Sequence, residues 1–190
     1  MASFTSPSSR SSGYKVLAQD WNELVTDIIY LGSGTASAGR PAVMAVSTDT
    51  NGLTQDTWIG PIAFTSADEY DTDSMHNPSS NSARLVANTA GLYLITAELY
   101  ADAHTQAEPI HLMLRKNAGS SATGGTFIAQ STTVFSTNTA SSIPTGLQLQ
   151  TMVRLSATDY VSLFVMSEAS GESLIGTTVN HRFGMIWQTA

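Results

Sequence analysis

The sequence predicts an all-β fold, an antiparallel sandwich or barrel, preceded by an extended arm and one short amphipathic α-helix. Three observations carry that expectation. Apolar residues alternate with polar ones at a period of two from Pro41 onward, turn-forming residues recur at short intervals between those runs, and one stretch near the N-terminus switches to a helical period. This layout points to a β-domain displayed on an anchor and away from an enzyme built on βα loops.

Residues 1–13 are rich in Ser with Thr, Pro and Gly, a composition that buries too little apolar surface to order itself, so this arm is expected to lie on a neighbour. In the helical stretch, Trp21, Leu24, Val25, Ile28 and Leu31 fall at i, i+3, i+4, i+7 and i+10 and form one apolar stripe. Asp20 and Glu23 have the spacing of a capping box, and Gly32 supplies the stop. A helix this short is marginal alone in water, so its stripe is expected to dock on a partner or on copies of itself, or else on the β-domain of its own chain. The Gly- and Ser-rich segment 32–39 behind it reads as a tether. The expected division is therefore 1–40 for arm, helix and tether, and 41–190 for the β-domain.

The clearest strands are Tyr93–Ala101 and Leu147–Leu155. In the first, Tyr93, Ile95, Ala97, Leu99 and Ala101 make one face. Further strands are expected at Val43–Ser47, Trp58–Phe64, Ala83–Ala87, Ile110–Lys116, Phe127–Phe135, Tyr160–Ser167 and Arg182–Trp187, separated by Gly, Pro, Asn, Asp and Ser. Tyr160–Met166 is apolar on both faces, with Val161, Leu163 and Val165 on one and Tyr160, Phe164 and Met166 on the other. The second set is read as a subunit interface, with a covering loop as the alternative.

Composition narrows the function. The chain has 190 residues, 42% of them hydrophobic, enough to bury a proper core, and it has no cysteine, which excludes disulfides, thiolate metal sites and thiol nucleophiles. A formal net charge of −7, from 15 acidic against 8 scattered basic residues, argues against an electrostatic grip on nucleic acid. No apolar run is long enough to span a bilayer, and the first ten residues lack the apolar core of a secretory signal, so neither membrane insertion nor leader-driven export is expected.

Candidate chemical sites are sparse. Asp68, Glu69, Asp71 and Asp73 concentrate carboxylates that suit Ca²⁺, although the loop lacks the glycine turn and terminal Glu of an EF-hand and reads first as a solvated acidic loop. No other cofactor is expected. His104, Glu108 and His111 are close in sequence, but Pro109 prevents a helix through them, so the spacing of a zinc hydrolase is absent. No serine lies in a nucleophile elbow, and the glycine pairs lack the Lys of a phosphate loop. Trp58, Trp187, Tyr93, Phe164 and Phe183 read as core or interface, while Tyr70 and Phe135 lie near loops where a ring can stack on a sugar. The expectation is no enzyme.

Two resemblances give this outline a direction. The ordered segments Ala90-Gly-Leu-Tyr-Leu-Ile-Thr96, Leu112-Met-Leu-Arg-Lys-Asn117, Val153-Arg-Leu-Ser-Ala-Thr-Asp-Tyr-Val161 and Phe183-Gly-Met-Ile-Trp187 resemble the TNF-like, complement-globular-head family. The Gly-Leu-Tyr strand opening and Asp159-Tyr-Val are similar to its "G-Y-x-F" and "G-D-x-V" signatures, with Thr158 standing where that family often has Gly. The resemblance implies a jelly roll of about ten strands that forms homotrimers. Val16-Leu-Ala-Gln-Asp-Trp-Asn-Glu-Leu-Val25 resembles the "L-x-A-x-D-W-N" opening of small virion proteins of tailed bacteriophages, and Tyr70–His76 is similar to a loop in them. That second resemblance implies a minor tail component, spike or head decoration on the particle exterior. Its N-terminal segment would dock on other virion proteins, and its loops would meet a host-surface glycan or protein if it adheres.

Overall fold

The computed structural model describes residues 40–102, 108–134, 145–176 and 180–189. The arm and the helix expected over Asp20–Leu31, with Trp21, Leu24, Val25, Ile28 and Leu31, lie outside the described residues. So do the tether, His104 and Phe135.

Eleven strands are present among the described residues: β1 (Ala42–Ser47), β2 (Asn51–Gly52), β3 (Tyr70–Asp71), β4 (Leu85–Val86), β5 (Gly91–Ala101), β6 (Pro109–Lys116), β7 (Thr126–Val134), β8 (Thr145–Leu155), β9 (Tyr160–Ser167), β10 (Ser173–Leu174) and β11 (His181–Thr189). They form two antiparallel sheets. The larger runs β3-β1-β11-β5-β8, with β10 and β2 continuing it beyond the end of β11, and the smaller runs β4-β9-β6-β7. Strands distant in sequence are neighbours in both sheets, as in a jelly roll.

The alternation of β5 becomes its packing. Tyr93, Ile95, Ala97, Leu99 and Ala101 are buried, while the residues between them are partly exposed on the opposite face. Together with Val43, Leu147 and Phe183 of the same sheet, they meet Ile110, Leu112, Leu114, Val161, Leu163 and Val165 of the other in one core. Each fully buried aliphatic side chain of this kind contributes about 1.5–3 kcal/mol relative to exposure.

One expected strand is not a strand. Trp58–Phe64 follows the free edge of β9 through an isolated bridge between Ile59 and Val165 and a hydrogen bond from Ile62 N–H to the Leu163 carbonyl. Pro61 interrupts the ladder because it has no N–H to donate. Three two-residue strands, β2, β3 and β10, had no counterpart in the sequence pattern.

Candidate functional site

Among the described residues, the outer face of the larger sheet carries an apolar row built by four strands. Register places Met152 opposite Leu94, Leu94 opposite Ile186 and Ile186 opposite Ala42, so four strands contribute one apolar row. Met152 is 54% exposed. The next row is Gln150, Thr96, Gly184 and Met44, and beyond it come Gln148, Glu98 and Arg182. Met44, Thr96, Glu98, Gln148, Gln150 and Arg182 line a shallow cleft of about 450 Å³. Gly184 lies beneath Met44 and Thr96, where a Cβ would come within 2.7 Å of the Met44 methyl and 3.0 Å of the Thr96 hydroxyl. At the charged end, Arg182 donates to Glu69 at 2.9 Å, and Gln148 donates to Glu98 at 3.2 Å. A hydrogen bond with Glu98, and burial after it, raise the pKa of Tyr100. One face thus carries an apolar band beside a charged, hydrogen-bonded one, the composition of an interface core and rim.

The three residues expected at a subunit interface, Tyr160, Phe164 and Met166, lie on the smaller sheet, and the covering alternative accounts for Phe164. Phe164 is 0% exposed within its own chain, packed with Met113 and Ala118 and covered by Trp58 and Ala122, so no surface of it is left for a neighbour. Tyr160 is half-buried; its hydroxyl accepts the Gly119 N–H at 2.8 Å, and the Arg84 guanidinium sits 4.4 Å from the ring centre. Met166 is half-buried opposite His111.

The acidic segment does not converge. Asp68 binds His76 at 2.7 Å, Glu69 faces Arg182, and Asp71 accepts the N–H groups of Asp73, Met75 and His76. Asp73 lies beside Thr89, with its pKa raised by burial and by the charge of Asp71. Asp71 therefore serves as a local turn cap, which is what short carboxylates do in loops. Among the described residues, no group of three His, Asp or Glu side chains could hold a metal ion.

His111 is also engaged. Its Nε2 meets Glu168 at 2.8 Å and its Nδ1 meets the Thr132 hydroxyl at 2.9 Å, tying β6 to β7 and to the corner after β9. The aromatic residues behave as core: Tyr93 and Phe183 are fully buried, and the Trp187 indole donates to the Ala90 carbonyl. Burial, with the charge of Asp73, pushes the Tyr93 phenol up to about 12, and its hydroxyl donates to the Thr89 carbonyl. Tyr70 is partly exposed at the sheet edge, and burial, then Glu69, raises its pKa.

The chain is similar to the globular domain of the zebrafish complement 1qA protein, at 11% identity over 80% of this chain and 100% of that one, with a TM-score of 0.52. It is similar to the Eiger TNF of S. frugiperda at 16% identity over 79% and 94%, TM-score 0.54. Murine APRIL at pH 5.0 gives 7% identity over 79% and 100%, TM-score 0.56. The domain has the TNF- and C1q-type jelly-roll fold. No protein-family model and no curated protein matches the chain. The likeness is one of fold, and it agrees with the sheet order: β3-β1-β11-β5-β8 packs on β4-β9-β6-β7 as the two layers of such a jelly roll.

Proposed function

We propose that this chain is a non-enzymatic structural protein of a tailed-bacteriophage particle. In this reading it is a homotrimeric surface element that docks through its N-terminal segment and displays the TNF-like jelly roll. The observation that carries the self-assembly is the apolar row Met152–Leu94–Ile186 on the outer face of the larger sheet, in which Met152 is exposed and Leu94 and Ile186 are half-buried among the described residues. Contiguous apolar surface of this kind marks an interface, and copies of one chain assemble most simply into a closed symmetric ring. The neighbours of this fold, a complement globular domain and TNF ligands, support a trimer as the ring. The particle assignment rests on the Leu17-Ala-Gln-Asp-Trp-Asn22 opening, with Trp21, Leu24, Val25, Ile28 and Leu31 as the docking stripe. A non-enzymatic role is favoured by the site chemistry, since the histidines and carboxylates described above are spent on turn capping and strand ties.

Host-surface adhesion is the second reading, favoured by the 52% exposed ring of Phe127 on β7. One experiment separates them. Removal of residues 1–31 is expected to abolish incorporation into particles, while Phe127→Ser particles still adsorb to cells. Incorporation without residues 1–31 would overturn the docking role, and loss of adsorption in Phe127→Ser would replace the structural reading with the adhesive one.

A further inference from the structure

Along the edge of β5 that faces β11, the ladder changes partners. Strand β11 pairs with Leu92–Glu98 and β10 with Ala101, and the Tyr100 carbonyl accepts the Ile175 N–H. The Tyr100 N–H sits at the changeover, where a side chain takes the place of a strand carbonyl: it donates to His181 Nδ1 at 3.1 Å. His181 is 0% exposed, so this contact is made out of reach of water.

The chemistry of that contact requires a neutral ring. To accept from an N–H, Nδ1 must carry a lone pair, which places the only ring proton on Nε2. Nε2 is itself buried and reaches no partner with hydrogen-bond geometry. A second proton would set Nδ1–H against the Tyr100 N–H, donor against donor, and bury a charge. The groups facing the ring offer little relief. Asp49, on the turn after β1, pulls toward the charged form through its backbone and carboxylate, but burial outweighs it and holds the ring below its ordinary pKa of 6.5. That carboxylate already accepts from the Thr65 hydroxyl at 2.8 Å. From β5, the Tyr100 ring stacks on His181 at 6.5 Å between centroids. Ser47 of β1, its register partner, is a neutral hydroxyl, and Arg182 is engaged with Glu69.

We propose that His181 is an acid-sensitive latch: protonation of its ring releases the end of the larger sheet where β5 passes from β11 to β10. The unfolded chain takes up this proton at higher pH than the folded one, so stability of the junction is full above the ordinary histidine value and falls as the pH drops below it toward the folded-state value. The β2–β10 bridge and the Leu53 N–H bonded to the Glu172 carbonyl lie on the released side. Central pairs such as Ile95 with Thr151 do not.

Amide hydrogen exchange of the full chain by NMR, at about pH 7.5 and about pH 5, tests the latch after correction for intrinsic rates. The Tyr100, Ile175 and Asp102 amides are expected to lose protection at the lower pH relative to Ile95 and Leu163, by up to about tenfold for each pH unit between the ordinary histidine value and the folded-state one. His181→Asn, whose side-chain carbonyl accepts a hydrogen bond without titrating, is expected to abolish the difference. If that variant does not fold, the wild-type comparison decides alone. Unchanged protection at Tyr100, or an equal loss at Ile95, overturns the proposal.

Discussion

Asn117 and Asp159 bind the turn after β6 to the turn before β9. The Asn117 amide donates to Asp159 Oδ1 at 2.7 Å while its carbonyl oxygen accepts the Tyr160 N–H at 2.9 Å. Asp159 Oδ2 accepts the Ser156 N–H at 2.8 Å and faces Lys116 at 3.3 Å. The Asn117 hydrogen bond, followed by that of the Ser156 backbone, holds the Asp159 carboxyl below the ordinary carboxylate value of 3.8. Its contribution is therefore present above that value and lost as the pH falls through the folded-state pKa. Asp159→Ala is expected to lower stability by about 1.5–3 kcal/mol near neutrality, the scale of hydrogen bonds to a charged group. Denaturant unfolding at neutral and at acid pH checks it, because the gap between variant and wild type should narrow in acid.

Thr158, the residue before that carboxylate, has φ of 75°, in the left-handed region that a β-branched side chain resists. Thr158→Gly is expected to raise the melting temperature through a gain of about 0.5–1 kcal/mol, the relief of strain outweighing glycine's backbone entropy. A lower melting temperature would show that the Thr158 side chain contributes more than its backbone costs.

Gly91 opens β5 where no Cβ fits. One built there would run into the Trp187 indole nitrogen and lie 2.5 Å from the Thr189 carbonyl oxygen. Gly91→Ala should cost about 1–3 kcal/mol, as overpacking does. Gly146→Ala is the control, since its Cβ would meet Tyr100 at 3.7 Å, an ordinary contact. Thermal unfolding of the pair should show loss in the first and little change in the second.

Phe164 separates internal packing from assembly. Truncation to Ala should cost about 3–5 kcal/mol, as for other fully buried aromatics, and leave the subunit number of the folded protein unchanged. Calorimetry with light scattering on the same sample reads both quantities.

Much of the fold was legible because β5, β8 and β9 are long enough for alternation to declare itself, and Val161, Leu163 and Val165 face the core as their spacing requires. The short strands β2, β3 and β10 were invisible because backbone pairing holds them and two residues carry no period. Phe164 misled because an apolar second face looks the same in sequence whether a loop or a subunit covers it; here Trp58, far upstream in the chain, covers it. The outer face of the larger sheet escaped notice for the converse reason. Leu94, Met152 and Ile186 meet only through register, because they lie on three strands far apart in sequence. The carboxylates of the acidic loop, adjacent in sequence, turn to separate partners.

The mass of the full chain by light scattering, with and without Met152→Glu, tests the account most directly. The account predicts three times the 20.1 kDa chain mass for the wild type, with a smaller mass or a concentration-dependent loss of trimer for the variant, whose charge would be buried in the apolar row. A wild-type mass of one chain, or a trimer indifferent to Met152→Glu, would contradict assembly through the outer face of the larger sheet.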